Sequence, residues 1–550
     1  MQLADTIRYL TPLVTAVAIS MALIPILVRF APRLGLIDRP NARKVHVEPI
    51  PRVGGIGIIA GFLISVGLLV PMDPLMYSYI AGSLVLFIFG VWDDRQEIGH
   101  YAKFAGQLIA ALVLVLYGGL YVKSFPFVTD GELPAVIGIP FSIFAIMGMI
   151  NAINHSDGLD GLAGGESLIS LVAIAFLAHF AGGETALIIA LAMIGGIFGF
   201  LRYNTHPARV FMGDAGSQFL GFTLAFLAIL LTQRIDTNLS PAVVLLLLGL
   251  PIVDIIAVFA IRMSSGMHWF RASRNHIHHR LLDLGFVHEE SVIVIYSVQV
   301  ICVTLGVLLR HESNWILLSI YLVFCVGFLV LIGWAEKSGW RRYPVALVNA
   351  AAANIQHSHL RHLLVVAPRK FLSIGIPVYL VSTSLLIEGV PRDFAVVSAL
   401  ISVLIIIEVL FGRAPRSIIR RALIYITVVF VVFLGINYPP KLADIAEPLV
   451  ALFFVLVALS FAVAVKFSPR RRRVEFKTTA TDYLVLSVLL GSFVASKGAI
   501  IGDSAMLLAI EIIVIFYACE LLVTENRERW NWLTVASLVT VLLLAVRGLL

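Results

Sequence analysis

Charge is scarce in this chain. Asp, Glu, Lys and Arg together make up 13% of its 550 residues, while 60% are hydrophobic. That balance excludes an ordinary soluble domain, in which the charged share is about 25%, and a disordered chain poor in apolar residues. Cysteine is scarcer still. Cys302, Cys325 and Cys519 all lie in apolar stretches, with neither metal-knuckle spacing nor the even pairing of a disulfide framework. A small-residue cleavage pattern is also missing after the first apolar stretch, residues 8–30, which runs directly into a basic loop. It reads as a retained span rather than a removed signal peptide.

What is present is a succession of apolar runs of the ~17–25 residues that cross a bilayer as a helix. They read as an all-α polytopic membrane protein. Hydropathy places early spans at 8–30, 53–71, 75–91, 104–120, 134–152, 161–180, 184–201, 216–232, 240–262, 291–309 and 314–334. About seven more apolar segments follow. The expected organisation is a membrane-embedded domain over 1–335, a linker over 336–371 and a further membrane domain over 372–550.

Basic residues set the orientation. With the N-terminus outside, Arg33, Arg39, Arg43, Lys44, Arg52, Arg95, Lys103, Arg202, Arg209, Arg271, Arg274 and Arg280 fall on inner loops. Arg8, Lys123, Arg234 and Arg310 fall outside, and the Arg470–Arg473 run falls inside. That is the positive-inside bias of a bacterial inner-membrane protein. The net charge of +7 therefore reports topology and anionic headgroups, and excludes a nucleic-acid footprint.

In this topology every dense polar cluster of the first half lies on the inner face. Asp93-Asp94 ends the third span, where paired acids suit a hard cation such as Mg²⁺ or split their proton affinities. The run Asn151 to Gly165 holds Asn151, Asn154, Asp157 and Asp160 among four glycines. If helical, Asp157 and Asp160 share a face, and the glycines permit close approach to a ligand. Asp214 stands on a glycine-flanked turn that opens a span, a place for a metal and for phosphate, with Phe211 three residues before it able to stack on a base. Lys44, Arg43, Arg52, Arg209, Arg274 and Arg280 supply cations for a diphosphate.

His276, His278 and His279 form the densest histidine cluster. Zinc is disfavoured there, because helical zinc pairs usually sit four apart and no cysteine accompanies them. Hydrogen bonding to phosphate or sugar is the competing use. His357, His359 and His362 read as an interfacial helix. Asp254, inside the ninth span, must face the protein interior, the site or a neighbouring helix.

Taken together, these motifs resemble the polyprenyl-phosphate N-acetylhexosamine-1-phosphate transferases of glycosyltransferase family 4, over roughly residues 1–335. "RKVHVEPIPRVGG" (43–55) and "HIHH" (276–279) resemble its N-acetylglucosamine branch. The resemblance implies attack of a lipid phosphate on the β-phosphorus of a UDP-N-acetylhexosamine, giving polyprenyl-diphospho-sugar and UMP. By the same resemblance Asp93 positions or deprotonates the lipid phosphate beside Asp94, and Asp214 ligates Mg²⁺, with Asp94 its second candidate ligand and Mn²⁺ a substitute. Asn151, Asn154, Asp157 and Asp160 fall to the nucleotide and diphosphate side, and Phe211 lies near the uracil. Lys44, His46, Arg52, Arg209 and Arg274 bind substrate, and His276, His278 and His279 lie near the diphosphate or sugar. A homodimer is compatible with it.

There are departures. Ser273 stands where many relatives carry an Asp three before the first histidine, and His155-Ser156 occupies a variable place. The segment after residue 335 has no counterpart in the core family. Other UDP-sugars remain alternative donors. A lipid or solute transporter is the reading from another class, although polar groups crowd one face rather than the midplane.

Overall fold

A helix that is apolar on every side can only sit inside a bundle. In the computed structural model this is the helix that begins at Gly213. The structure describes residues 3–40, 48–125, 132–266, 275–341, 366–411, 418–438, 443–466 and 532–549, with 511, 514–519 and 521–523. Contacts divide it into two units, one drawn from residues up to 343 and one from residues 366 onward.

The first unit begins with α1 (Leu3–Leu34) and a two-residue antiparallel ribbon, β1 (Ile37–Asp38) with β2 (Ile50–Pro51), in which Ile37 faces Pro51 and Asp38 faces Ile50. There follow α2 (Gly54–Leu69), α3 (Pro74–Gln96), α4 (His100–Leu112), α5 (Ala135–Ser156), α6 (Leu162–Phe180), α7 (Glu184–Asn204) and α8 (Gly213–Leu230). A short α9 (Val243–Leu247) breaks at Leu248 before α10 (Gly249–Ser264). The unit closes with α11 (Ile277–Asp283), α12 (His288–Leu308) and α13 (Asn314–Lys337). Wider turns extend α4 to Tyr117 and α8 to Ile235.

Every early span expected from hydropathy is present as a helix, the ninth as a broken pair. Among the described residues, ten helices are long and apolar enough to cross a membrane. The chain is an all-α polytopic membrane protein.

All of Ala215 to Leu230 is buried, and α2, α3 and α5 close around it. The approach is tight enough that a methyl group on Gly90 of α3 would lie 2.3 Å from Ala215 Cα. Toward the other end of the helix, Tyr79 stacks on Phe226, with centroids 4.2 Å apart, and its hydroxyl meets Thr223 Oγ1 at 2.7 Å. The central helix is thus fixed at both ends, which fixes the position of Asp214 at its start.

The helices run past their apolar segments, so the polar residues fall on last or first turns rather than in free loops. Asp93 and Asp94 lie within α3, and Asn151 and Asn154 within α5. Asp157 and Asp160 do not share a helical face. α5 ends at Ser156 and α6 starts at Leu162, so both stand in the turn between them.

The second unit contains α14 (Ala367–Leu386), α15 (Arg392–Phe411), α16 (Ile418–Asn437), α17 (Ala443–Lys466) and α18 (Trp532–Leu549). Its core includes Leu372, Leu380, Val431, Val457 and Leu544. Arg547 of α18 donates to the Ser384 and Ile387 carbonyls at the end of α14, satisfying acceptors that the helix itself leaves open. The His357, His359 and His362 set and the Arg470–Arg473 run lie outside the described residues.

Candidate active site

The chain alternates direction, so the C-terminal ends of α3, α5 and α7 meet the N-terminal ends of α4, α6 and α8 at one end of the first unit. At their centre is Lys103, in the first turn of α4. Its Nζ lies 2.5 Å from Asp93 Oδ2 and 3.3 Å from Asp214 Oδ1. Asp214 Oδ1 also accepts from Asn154 Nδ2 at 2.7 Å, and the same Asn154 nitrogen donates to Ser217 Oγ at 2.8 Å. Four helices therefore meet at one carboxylate oxygen and one ammonium. Hydropathy leaves Lys103 just before the span at 104–120, whereas the helix begins at His100 and takes Lys103 into its first turn, and a charge so close to an apolar segment marks a functional position.

Asp93 and Asp94 do different work although they are adjacent. Asp94 faces the start of α8, where its Oδ1 accepts the Asp214 N–H at 2.9 Å and its Oδ2 the Ala215 N–H at 3.1 Å. Both are donors that the helix start leaves open. Gly213, with φ of +77°, allows this approach, since a Cβ there would meet Asp94 Oδ2 at 2.5 Å. Asp93 turns to Lys103 instead, and its Oδ1 is buried without a hydrogen-bond partner.

This arrangement tests the fit of a hard divalent cation. Asp93 and Asp214 present oxygen donors of the type such a cation takes, and Asp93 has one oxygen still to be satisfied. The residues fit. Asp94 has each oxygen engaged by one backbone N–H at the start of α8, and so anchors that helix.

The turn after α5 forms a second wall. Asp157 is pushed up to about 7, first by its low-polarity surroundings and then by the Asp214 and Asp160 charges, against the pull of Arg52. Asp160 behaves oppositely. Burial acts to raise it, but the His206 hydrogen bond, His288 and the Ala208 N–H together hold it below the usual carboxylate range. Arg52, on the edge of the ribbon, is paired with Asp38. Burial acts to lower its proton affinity, but attraction from Asp38, Asp94 and Asp214 outweighs that and raises it.

Glycines of this run also pack closely against side chains. A Cβ on Gly158 would lie 2.3 Å from His278 Nε2, and one on Gly165 would lie 2.0 Å from the Tyr296 hydroxyl. Gly161 donates its N–H to Asn204 Oδ1 at 2.8 Å and gives its carbonyl to the Tyr296 hydroxyl at 2.7 Å.

The histidine motif is oriented from inside the bundle. Asp254 Oδ2 lies 2.7 Å from His276 Nδ1, and Asp254 Oδ1 accepts the Ile277 N–H at 2.7 Å, which caps α11. Asp254 is thus both interior and part of the site's support. His276 and His278 stack at 5.7 Å, and His278 and His279 lie 4.3 Å apart. Burial, and next the neighbouring His279, lower His278 to about 3, which keeps the imidazole neutral.

Asn151 stands behind the centre. It donates to Gln107 Oε1 and to the Met147 carbonyl, both at 2.7 Å. The strand-like segment before α8 is sewn to the ribbon by the Phe211 N–H to the Pro51 carbonyl and by the Gly54 N–H to the Phe211 carbonyl. Arg209 is exposed on the same loop. Lys44, His46 and Arg274, with Arg43 and Ser273, lie outside the described residues.

From this polar centre a cavity of about 940 Å³ opens between α4, α5, α8, α9 and α10. Lys103, Asn154, His155 and His276 line one end, and Phe104, Phe141, Phe144, Met147, Leu245, Ile252 and Phe259 line the rest. A charged mouth on an apolar chamber suits a molecule with an anionic head and a hydrocarbon body.

Known proteins point the same way. A model described as glycosyl transferase family 4 matches residues 76–232. The probable undecaprenyl-phosphate N-acetylglucosaminyl 1-phosphate transferase of Bacillus subtilis (strain 168) is 34% identical over 339 residues, covering 60% of this chain and 93% of the relative. The undecaprenyl-phosphate alpha-N-acetylglucosaminyl 1-phosphate transferase of Escherichia coli (strain K12) is 32% identical over 319 residues, or 56% and 86% of the two chains. That of Yersinia pestis is 32% identical over 342 residues, or 60% and 92%. The family match lies across the helices that bear Asp93, Lys103, Asn154 and Asp214, and the Bacillus relative is spanned almost throughout: the chain belongs to glycosyl transferase family 4.

Proposed function

We propose that this protein transfers a UDP-activated N-acetylhexosamine 1-phosphate, foremost N-acetylglucosamine 1-phosphate, to polyprenyl phosphate. The products are a polyprenyl-diphospho-sugar and UMP. The observation that carries the reading is the junction of the Asp93–Lys103–Asp214 cluster with the apolar cavity. The names of the relatives support the substrates. We further propose that the site faces the cytoplasm of a bacterial inner membrane, as the positive-inside bias of the loops supports. Residues 1–335 form the transferase, and 372–550 are an added membrane domain.

In the reaction an oxygen of the lipid phosphate attacks the β-phosphorus of the donor. The bond from that phosphorus to the bridging oxygen breaks, and UMP leaves with the electron pair. Such transfer needs in-line placement and charge neutralisation more than covalent help from the protein. Lys103, at the mouth of the cavity, offsets the charge of the lipid phosphate. Asp93 holds Lys103 in place and can take the phosphate proton when the head group arrives protonated. Asn154 and Ser217 orient Asp214. Neutral His278 and Asp254-held His276 offer N–H donors to the sugar or diphosphate. Asp157 and Asp160 belong to the nucleotide side, with Arg52 as a nearby cation. Mg²⁺, or Mn²⁺ in its place, held by Asp93 and Asp214, would supply charge neutralisation on the diphosphate.

The test is to incubate the full chain in lipid nanodiscs with undecaprenyl phosphate, Mg²⁺ and UDP-N-acetylglucosamine, and then to weigh the lipid fraction by mass spectrometry. A lipid gaining one N-acetylhexosamine phosphate is expected. In sealed vesicles, movement of the lipid or sugar across the bilayer with no mass change would favour a transporter instead. Another N-acetylhexosamine, including a 6-deoxy sugar, giving the larger yield would change the donor but keep the reaction.

A further inference from the structure

Beside the Lys103 centre, three segments bring together a group of different chemistry. Asp160 comes from the turn after α5, His206 from the loop after α7, and His288 from the first turn of α12. One donor atom from each lies within 4.8 Å of the others. His206 Nδ1 is 2.6 Å from Asp160 Oδ2, and His288 Nε2 is 3.4 Å from the Asp160 carbonyl oxygen. The two imidazoles stack with centroids 4.1 Å apart and planes at 21°. Glu289 adds a second carboxylate, its Oε1 3.9 Å from His206 Nε2.

From this juxtaposition we infer a binding site for a first-row transition cation of the Zn²⁺ class, formed by Asp160, His206 and His288, with Glu289 beside the far nitrogen of the His206 ring. The donor set separates it from the Asp93–Asp214 pair. Carboxylates alone suit Mg²⁺, whereas two imidazoles with carboxylates suit Zn²⁺ and its neighbours. Ligand bonds of about 2.0–2.1 Å to a tetrahedral ion put donor atoms about 3.3 Å apart, within the 4.8 Å that encloses these three, so a bound ion would draw them closer together. The cation takes the place of the proton at His206 Nδ1, and the neutral imidazole then carries its proton on Nε2. Access is open, because 31% of the His206 side chain and 17% of the Asp160 side chain are exposed.

The consequence is mechanical. Asp160 already accepts the Ala208 N–H at 3.0 Å, and the loop that holds His206 and Ala208 runs on to Gly213 and Asp214. A bound ion would tie the turn after α5, this loop and the start of α12 together at the edge of the polar centre. The competing account is that Asp160 and His206 simply hold the loop by hydrogen bonds. In that case the cluster has no affinity for a cation.

The experiment uses the full chain in nanodiscs with millimolar Mg²⁺ throughout. Metal is counted after gel filtration from added Zn²⁺, and the visible spectrum is recorded with added Co²⁺. We expect one Zn²⁺ retained per chain despite Mg²⁺, and visible bands of a Co²⁺ site of low coordination. His206→Ala and His288→Ala should each weaken binding at least about tenfold, and Asp214→Asn should not. Because a variant can misfold, the unaltered chain supplies a second readout. Bound Zn²⁺ should protect His206 and His288, more than His276 or His278, from modification by diethyl pyrocarbonate. No retained Zn²⁺, full affinity in both histidine variants, or protection confined to His276 and His278 would overturn the proposal.

Discussion

Asp94 meets Asp214 by carboxylate to backbone, its Oδ1 accepting the Asp214 N–H at 2.9 Å. One acid of the adjacent pair is thus spent on holding the helix that carries the other side's acid. Asp93 alone remains to face the centre with Lys103.

This division predicts different failures for the two neighbours. Asp94→Ala leaves the first N–H groups of α8 without acceptors in a buried place. It should cost about 1–3 kcal/mol of stability and lose activity along with it. Asp93→Asn should abolish most turnover with much less effect on folding. Thermal unfolding in detergent, read beside UMP release, separates the two. Equal unfolding temperatures for both variants would contradict the assignment.

Lys103 places its ammonium between Asp93 and Asp214. Lys103→Met should lower kcat by about 10²–10³-fold, the range for losing one charge-stabilising donor. It should also lower the Mg²⁺ concentration giving half-maximal activity, because two carboxylates lose their internal counter-ion. A titration of Mg²⁺ against residual rate checks the sign.

The His278 ring rests on Gly158 with no room for a methyl group. Gly158→Ala should therefore displace the imidazole and reduce kcat/KM by more than about tenfold, since small misplacements near the chemistry have effects of up to about 10²-fold. The unfolding temperature should stay close to that of the unaltered chain. Steady-state kinetics with varied UDP-sugar is the measurement.

Asp157, at about 7, gives a pH dependence with a definite sign. Its carboxylate forms as pH rises through 7, so kcat/KM for the UDP-sugar should climb through that value and level above it. Asp157→Asn should remove the inflection. For stability, a raised folded value means that the contribution of this group is present below the ordinary 3.8 and is lost as pH rises through about 7. Asp160 runs the other way, and its contribution is lost on acidification. Unfolding midpoints between pH 4 and 8 for Asp157→Asn, and below pH 4 for Asp160→Asn, test the two directions.

The first unit has its own core, and Arg280 on the histidine helix is paired with Glu336 near the end of α13 through two hydrogen bonds of 2.8 and 2.7 Å. A chain ending after Arg341 should keep UMP release within about tenfold of the full protein. One ending after Gly333 should lose more, because Arg280 loses its partner. Paired assays of the two truncations decide this.

Much of this architecture is legible in the residues themselves. Apolar run length marks the helices, since a bilayer demands it, and the polar clusters mark one end of the bundle. The turn at Asp157–Gly161 is harder to see, because the glycines there permit helix and turn alike. Lys103 is hidden by its distance from the Asp93-Asp94 pair along the chain. Only the return of α4 beside α3 brings its ammonium between two acids. The role of Asp254 is hidden for the same reason, since its partner His276 arrives from another segment. Side chains meeting across elements leave no local pattern to read.

The most direct test of the account is UMP release by the full chain with Mg²⁺ and a panel of UDP-sugars, in the presence and absence of undecaprenyl phosphate. The account predicts UMP in equal amount to sugar-linked lipid, only when the lipid phosphate is present, and none from Asp214→Asn. No UMP from any donor, or UMP formed at the same rate without the lipid, would contradict it.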